Sequence, residues 1–198
     1  MKTVFITGSS TGIGYECAKI FMENGWNVVA TMRNPQNAPD SLKQRNVLIV
    51  KMDVTDDDSI KNAIREAICK FEQIDVLVNN AGYYTIGVVE AIPEEEIRRQ
   101  IETNLLGLIY TTKAVIPHMR EKRNGLIINL SSVAGKYLID GGKKGSSPRD
   151  VARKIYIIAE SRKRKMQYVV GKSTEIVALS KILPDKMVRT IIKKTMMK

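Results

Sequence analysis

Five short stretches of the chain, residues 3–7, 27–32, 47–52, 75–79 and 126–130, are nearly all apolar and rich in β-branched side chains. Continuous runs of this length suit strands buried on both faces, as in a parallel sheet covered by helices on each side. Between them the apolar positions shift to the spacing of a helix face. Helices are expected over 12–24, ending before Gly25; over 57–71, with Thr55 or Asp56 as N-cap; and over 93–123, as two helices. Pro93 followed by Glu94, Glu95 and Glu96 fits a first helical turn, because proline gives up no needed N–H there and acids complement the helix dipole. The alternation of strand and helix predicts an α/β fold, a Rossmann-type doubly wound parallel sheet in a single domain.

After Gly135 the rhythm changes. Residues 140–148 are polar and glycine-rich and read as a loop. Ser147-Pro148-Arg149-Asp150 then opens a helix expected to run to about residue 161, with Val151, Ile155, Ile158 and Ala159 on one face. A short strand at 168–170, a helix over 174–183 and a basic tail complete the reading.

The 198 residues, 43% of them hydrophobic, fit one domain with a core large enough to need no staples. The opening apolar run is too short for a signal-peptide core and no stretch approaches a membrane span, so a cytoplasmic protein is expected. Cys17 and Cys69 fall in amphipathic segments and read as reduced packing residues. With His118 the single histidine, no zinc-type cluster can be assembled. His118 itself, near a helix end, reads as a capping or surface residue.

The net charge of +11 suggests a polyanion partner until it is divided along the chain. Residues 1–135 carry 15 basic and 16 acidic side chains, whereas residues 136–198 carry 17 and 5. The basic runs at 162–165 and 189–198 could draw nucleic acid or an anionic membrane by counterion release. No aromatic stacking platform accompanies them, so solvated charge is the better reading and no nucleic-acid partner is expected.

The chemistry lies at the strand ends. The first strand runs into Thr7-Gly8-Ser9-Ser10-Thr11-Gly12-Ile13-Gly14 and then a helix, a context in which glycines permit a tight turn and a pyrophosphate rests on helix N–H groups. Asp53-Val54 ends the third strand. Asn79-Asn80-Ala81-Gly82 follows the fourth, Asn104-Leu105-Leu106-Gly107 lies in the helical stretch, and Ser131-Ser132-Val133-Ala134-Gly135 follows the fifth. In this order and spacing, residues 2–135 resemble the classical short-chain dehydrogenase/reductase family.

The resemblance implies an oxidoreductase that interconverts an alcohol and a ketone or aldehyde by hydride transfer with a nicotinamide cofactor. It implies a small-molecule substrate and a homo-oligomer. It also implies cofactor contacts from Gly8, Ser10, Thr11, Gly12, Ile13, Gly14, Asp53, Val54, Asn80, Ala81 and Gly82, with Ser132 polarising the substrate carbonyl and Asn104 completing a water relay. Residues 1–135 would then be the cofactor-binding half, 136–146 a loop or junction, and 147–198 a C-terminal helix-strand-helix. Tyr83, Tyr84 and Tyr137 are candidates for the substrate pocket. The end of the second strand has no carboxylate to hold a ribose diol and offers Arg33 for a 2′-phosphate, which favours NADP over NAD. A second basic residue inside the glycine turn is lacking, its place being taken by Thr11.

The family's catalytic tyrosine and lysine do not stand at their usual spacing: Gly145 and Arg149 occupy those places. Tyr15 to Lys19 and Tyr168 to Lys172 match the letters but lie in the first helix and near the final strand, the wrong structural contexts. Either a βα unit is missing between about Gly142 and Ser146, or the chain is a variant without the proton-transfer pair, which would make it a non-catalytic NADP-binding regulatory or scaffold protein. Loss of a central unit would expose a strand edge, which favours omission.

Overall fold

The computed structural model describes residues 1–85, 87–131, 147–163, 165 and 168. Its sheet has five parallel strands: β1 (Thr3–Ile6), β2 (Asn27–Met32), β3 (Val47–Lys51), β4 (Val76–Asn79) and β5 (Leu126–Asn129), in the order β3-β2-β1-β4-β5. Around them run α1 (Gly12–Glu23), α2 (Asp57–Phe71), α3 (Glu94–Ile101) and α4 (Gly107–Glu121). The predicted α/β class and doubly wound sheet are those observed. The chain divides into two compact units, residues 1–130 and 131–198. In the second, the described element is α5 (Pro148–Glu160), capped by Ser147, whose hydroxyl accepts from the Asp150 N–H.

β1 and β4 are fully buried, as their unbroken apolar sequences require. Alternation splits β1 between two layers. Phe5 joins Val29, Val50 and Leu77 in a cluster with Ile60, Ala63, Ile64 and Ala67 of α2 and with Val115 and Met119 of α4. Asp56 settles the cap left open between two residues: its carboxylate accepts from the N–H groups of Asp58 and Ser59, a contact worth about 1 kcal/mol. Glu72 ends α2 in the left-handed conformation, φ 65°. On α5 the buried positions are Ala152, Ile155, Ile158 and Ala159. Val151, expected on that face, is half-buried. The strand expected at 168–170 and the helix at 174–183 lie outside the described residues.

One buried carboxylate ties the amino-terminal edge of the sheet. Asp75 Oδ2 accepts from the Thr3 N–H at 2.7 Å and from Gln73 Nε2 at 3.0 Å, and Oδ1 accepts from Asn124 Nδ2 at 2.7 Å. Beside it His118 Nε2 accepts from the Ile74 N–H at 3.3 Å. The histidine thus serves the helix-to-strand packing; among the described residues there is no group of three or more His, Cys, Asp or Glu side chains placed to hold a metal ion.

Cys17 is fully buried, and burial, with Glu16 adding to it, pushes its thiol up to about 12. Cys69 is exposed. At pH 8 the Cys17 thiolate is therefore on the order of one part in ten thousand. An aromatic disulfide reagent should titrate one thiol rapidly in the native protein and two after denaturation. Fast reaction of both in the native state would contradict this packing.

Candidate functional site

Because all five strands are parallel, their carboxyl ends share one edge, and the sheet order reverses between β1 and β4. An open α/β sheet forms its ligand crevice at such a switch point.

The glycine turn leaves β1 here. Gly8 and Gly12 have φ of +70° and +61°, a region that side chains disfavour. Gly14 is required for a different reason: a Cβ there would stand 2.1 Å from the Gly8 carbonyl oxygen and 2.5 Å from Asn80 Nδ2. Ser9 closes the turn beneath, its N–H on the Thr31 carbonyl at 2.8 Å and its hydroxyl on the Ile6 carbonyl at 3.1 Å.

Asn80 fastens this turn to the segment after β4. Its Nδ2 donates to the carbonyls of Thr7 and Gly8, both at 2.9 Å. In return Thr7 Oγ1 accepts from the N–H groups of Asn80 and Ala81, also at 2.9 Å each. The role of Thr7 is invisible in sequence, since its partners are more than seventy residues away.

α1 begins at this turn with no side-chain cap on its first N–H groups among the described residues. Thr11, the N-cap residue, makes no side-chain cap, the first turn holds no acid, and the space a Gly12 side chain would fill is open. α2 and α5 are both capped by a side chain. Ser10 and Thr11 are exposed and Ile13 half-buried around the opening. An uncapped positive helix end over a glycine turn is a fit for a pyrophosphate.

The next segment is held from below. Asn104 sits in a single turn of π-helix, Glu102–Leu106, inserted between α3 and α4. Its Oδ1 accepts from the Tyr83 N–H at 3.0 Å and its Nδ2 donates to the Tyr83 carbonyl at 2.6 Å. The two helices expected over 93–123 therefore run on through a widened turn, which aims Asn104 at the loop after Gly82. Gly107 starts α4 against Val54: a Cβ would meet Val54 Cγ2 and its carbonyl oxygen, each at 2.8 Å. The Val54 side chain lies in the core.

Beyond β2 and β3 opens a cavity of about 290 Å³, lined by Arg33, Asp53, Thr55, Arg98, Arg99 and Thr103 among others. Asp53 Oδ1 accepts from Thr55 N–H at 2.9 Å and Thr55 Oγ1 at 2.8 Å. The fold thus gathers the glycine turn, Asn80, Ala81, Gly82 and Asn104 in one bonded group, with Arg33 and Asp53 at the neighbouring cavity. Tyr84 is 77% exposed. Ser132 and Tyr137 lie outside the described residues.

Such an edge defines a dinucleotide-type α/β protein, and the comparisons place it more closely. The model of the short chain dehydrogenase family matches residues 2–144, and the chain belongs to that family. It is 39% identical over 138 residues to oxidoreductase BOA17 of Botryotinia fuckeliana, a match covering 68% of this chain and 50% of that protein. The chain spans about half the length of curated relatives that it matches. Among solved structures, ElxO with NADP bound aligns at a TM-score of 0.62 and 33% identity, over 69% of this chain and 57% of that one. Serine dehydrogenase from Escherichia coli aligns at 0.71 and 25%, over 81% and 92%. Among the described residues no helix is long and apolar enough to cross a membrane.

Proposed function

We propose that the chain binds NADP and belongs to an oxidoreductase interconverting an alcohol and a ketone or aldehyde. The carrying observation is the uncapped N-terminus of α1 above a glycine turn locked by Thr7 and Asn80. Gly8, Ser10, Thr11, Gly12, Ile13 and Gly14 would hold the pyrophosphate, Asp53 and Val54 the adenine end, Arg33 the 2′-phosphate, and Asn80, Ala81 and Gly82 the path between. When bound, the cofactor supplies the hydride chemistry.

Asn104 acts in this reading by positioning. One amide hydrogen and one lone pair of its side chain bond the Tyr83 backbone, which fixes the loop after Gly82. Ser132 polarises the substrate carbonyl. The kinship with ElxO, whose solved form holds NADP, supports the cofactor, as does the lack of a carboxylate at the end of β2. Residues 1–135 serve as the cofactor-binding half, with homo-oligomerisation proposed from the same kinship.

Isothermal calorimetry tests this: NADPH should bind the 198-residue chain at least tenfold more tightly than NADH. Absence of binding by either would end the reading. Gly145 and Arg149, standing where the proton-transfer pair is expected, favour a second reading in which the chain binds NADPH without turning over. NADPH binding with no oxidation across a panel of carbonyl compounds would select it.

A further inference from the structure

The cavity beyond β2 and β3 is lined by three arginines: Arg33 from the end of β2, and Arg98 and Arg99 from α3. They are not equivalent. Arg33 enters no ion pair among the described residues. Arg99 is engaged, with Nη1 3.7 Å from Glu96 Oε1 and its guanidinium 5.6 Å from the centre of the Tyr83 ring. Arg98 is held by Nε at 3.1 Å and Nη2 at 2.5 Å on a single oxygen of Glu94, which leaves its Nη1 edge for another acceptor.

The Arg98–Glu94 pair stands in water, each side chain about three-quarters exposed. An exposed i,i+4 pair stabilises little, whereas a phosphate dianion offers a guanidinium short, charge-assisted and bidentate bonds. The same cavity carries Asp53, Glu95 and Glu102. Three carboxylates against three guanidiniums cancel most of the long-range field. Anion selection in this cavity then depends on direct pairing. The glycine turn, with Thr11 at its basic position, supplies no second cation.

We propose that Arg98 is the second guanidinium that recognises the 2′-phosphate of NADP, paired with Arg33 from the other side of the sequence, and that Glu94 restrains it. The assignment rests on the dinucleotide reading above. It makes Arg98 a specificity residue, and it places cofactor choice partly on a helix remote in sequence from the second strand.

Adenosine 2′,5′-bisphosphate and 5′-AMP share the adenosine and the 5′-phosphate, so the ratio of their affinities for the full chain isolates the 2′-phosphate. In calorimetry the unmodified protein should prefer the bisphosphate. Arg98→Ala should lower that ratio about tenfold with 5′-AMP affinity unchanged, and Arg98→Lys should recover part of it, as a point charge without the planar fork. Glu94→Gln should raise the ratio several-fold by releasing the guanidinium, an effect opposite in sign to any loss of structure. If the protein prefers the bisphosphate but Arg98→Ala and Glu94→Gln leave the ratio unmoved, Arg98 is excluded while the dinucleotide reading stands. If the unmodified protein binds neither compound, nor NADPH, both fall. Equal binding of the two compounds overturns the assignment to Arg98 together with that to Arg33.

Discussion

Gly14→Ala is expected to cost the protein about 4 kcal/mol, a large share of the roughly 5–15 kcal/mol typical of a whole domain. The added methyl would stand 2.1 Å from the Gly8 carbonyl and 2.5 Å from Asn80 Nδ2. Those two atoms are themselves bonded at 2.9 Å. Relief of the clash must therefore open that bond or shift α1 off β1. Overpacking of this kind costs about 1–3 kcal/mol, and each buried hydrogen bond lost adds about 1. Urea unfolding reads the effect as a lower midpoint. Gly12→Ala provides the contrast: its Cβ would meet nothing within 4 Å, so only the positive φ is penalised, by about 1–2 kcal/mol. A Gly14→Ala protein within about 1 kcal/mol of the original would refute the close packing of turn and helix.

Asp75→Ala is expected to destabilise by about 3 kcal/mol, from the opposite edge of the sheet. The substitution strands the Thr3 N–H in a fully buried position and takes the acceptor from Gln73 and Asn124. Leaving such donors unsatisfied costs about 1–3 kcal/mol, and bonds to a charged acceptor are worth about 1.5–3. Asp75→Asn keeps one oxygen for the Thr3 N–H and should lose about half as much. Equal losses in the two variants, read from denaturant midpoints, would show that the acceptor is not what holds the strands together.

The strands and the first two helices were legible because burial on both faces leaves a local mark: residues 27–32 are apolar as a run, and residues 57–71 follow a helical period behind Asp56. The glycine turn was legible for the same reason, as a strand, a turn and a helix in sequence. What the sequence did not show depends on distance along the chain. Thr7 meets Asn80, Asp75 meets Thr3 and Asn124, and Arg98 shares a cavity with Arg33; no periodicity records such meetings. The π-turn at Glu102–Leu106 was hidden because one extra residue per turn barely disturbs an apolar pattern. It decides where Asn104 points.

The bonded groups at the two edges of the sheet differ in kind. At the amino edge a single ionised side chain gathers donors from three segments. At the carboxyl edge the knot around Gly8 is made of one neutral side-chain amide, a hydroxyl and backbone. Mutational screens for stability and for ligand binding should accordingly return nearly separate residues, one set clustered at each edge. Gly14, which belongs to the packing and to the binding turn alike, is the position where the two screens should meet.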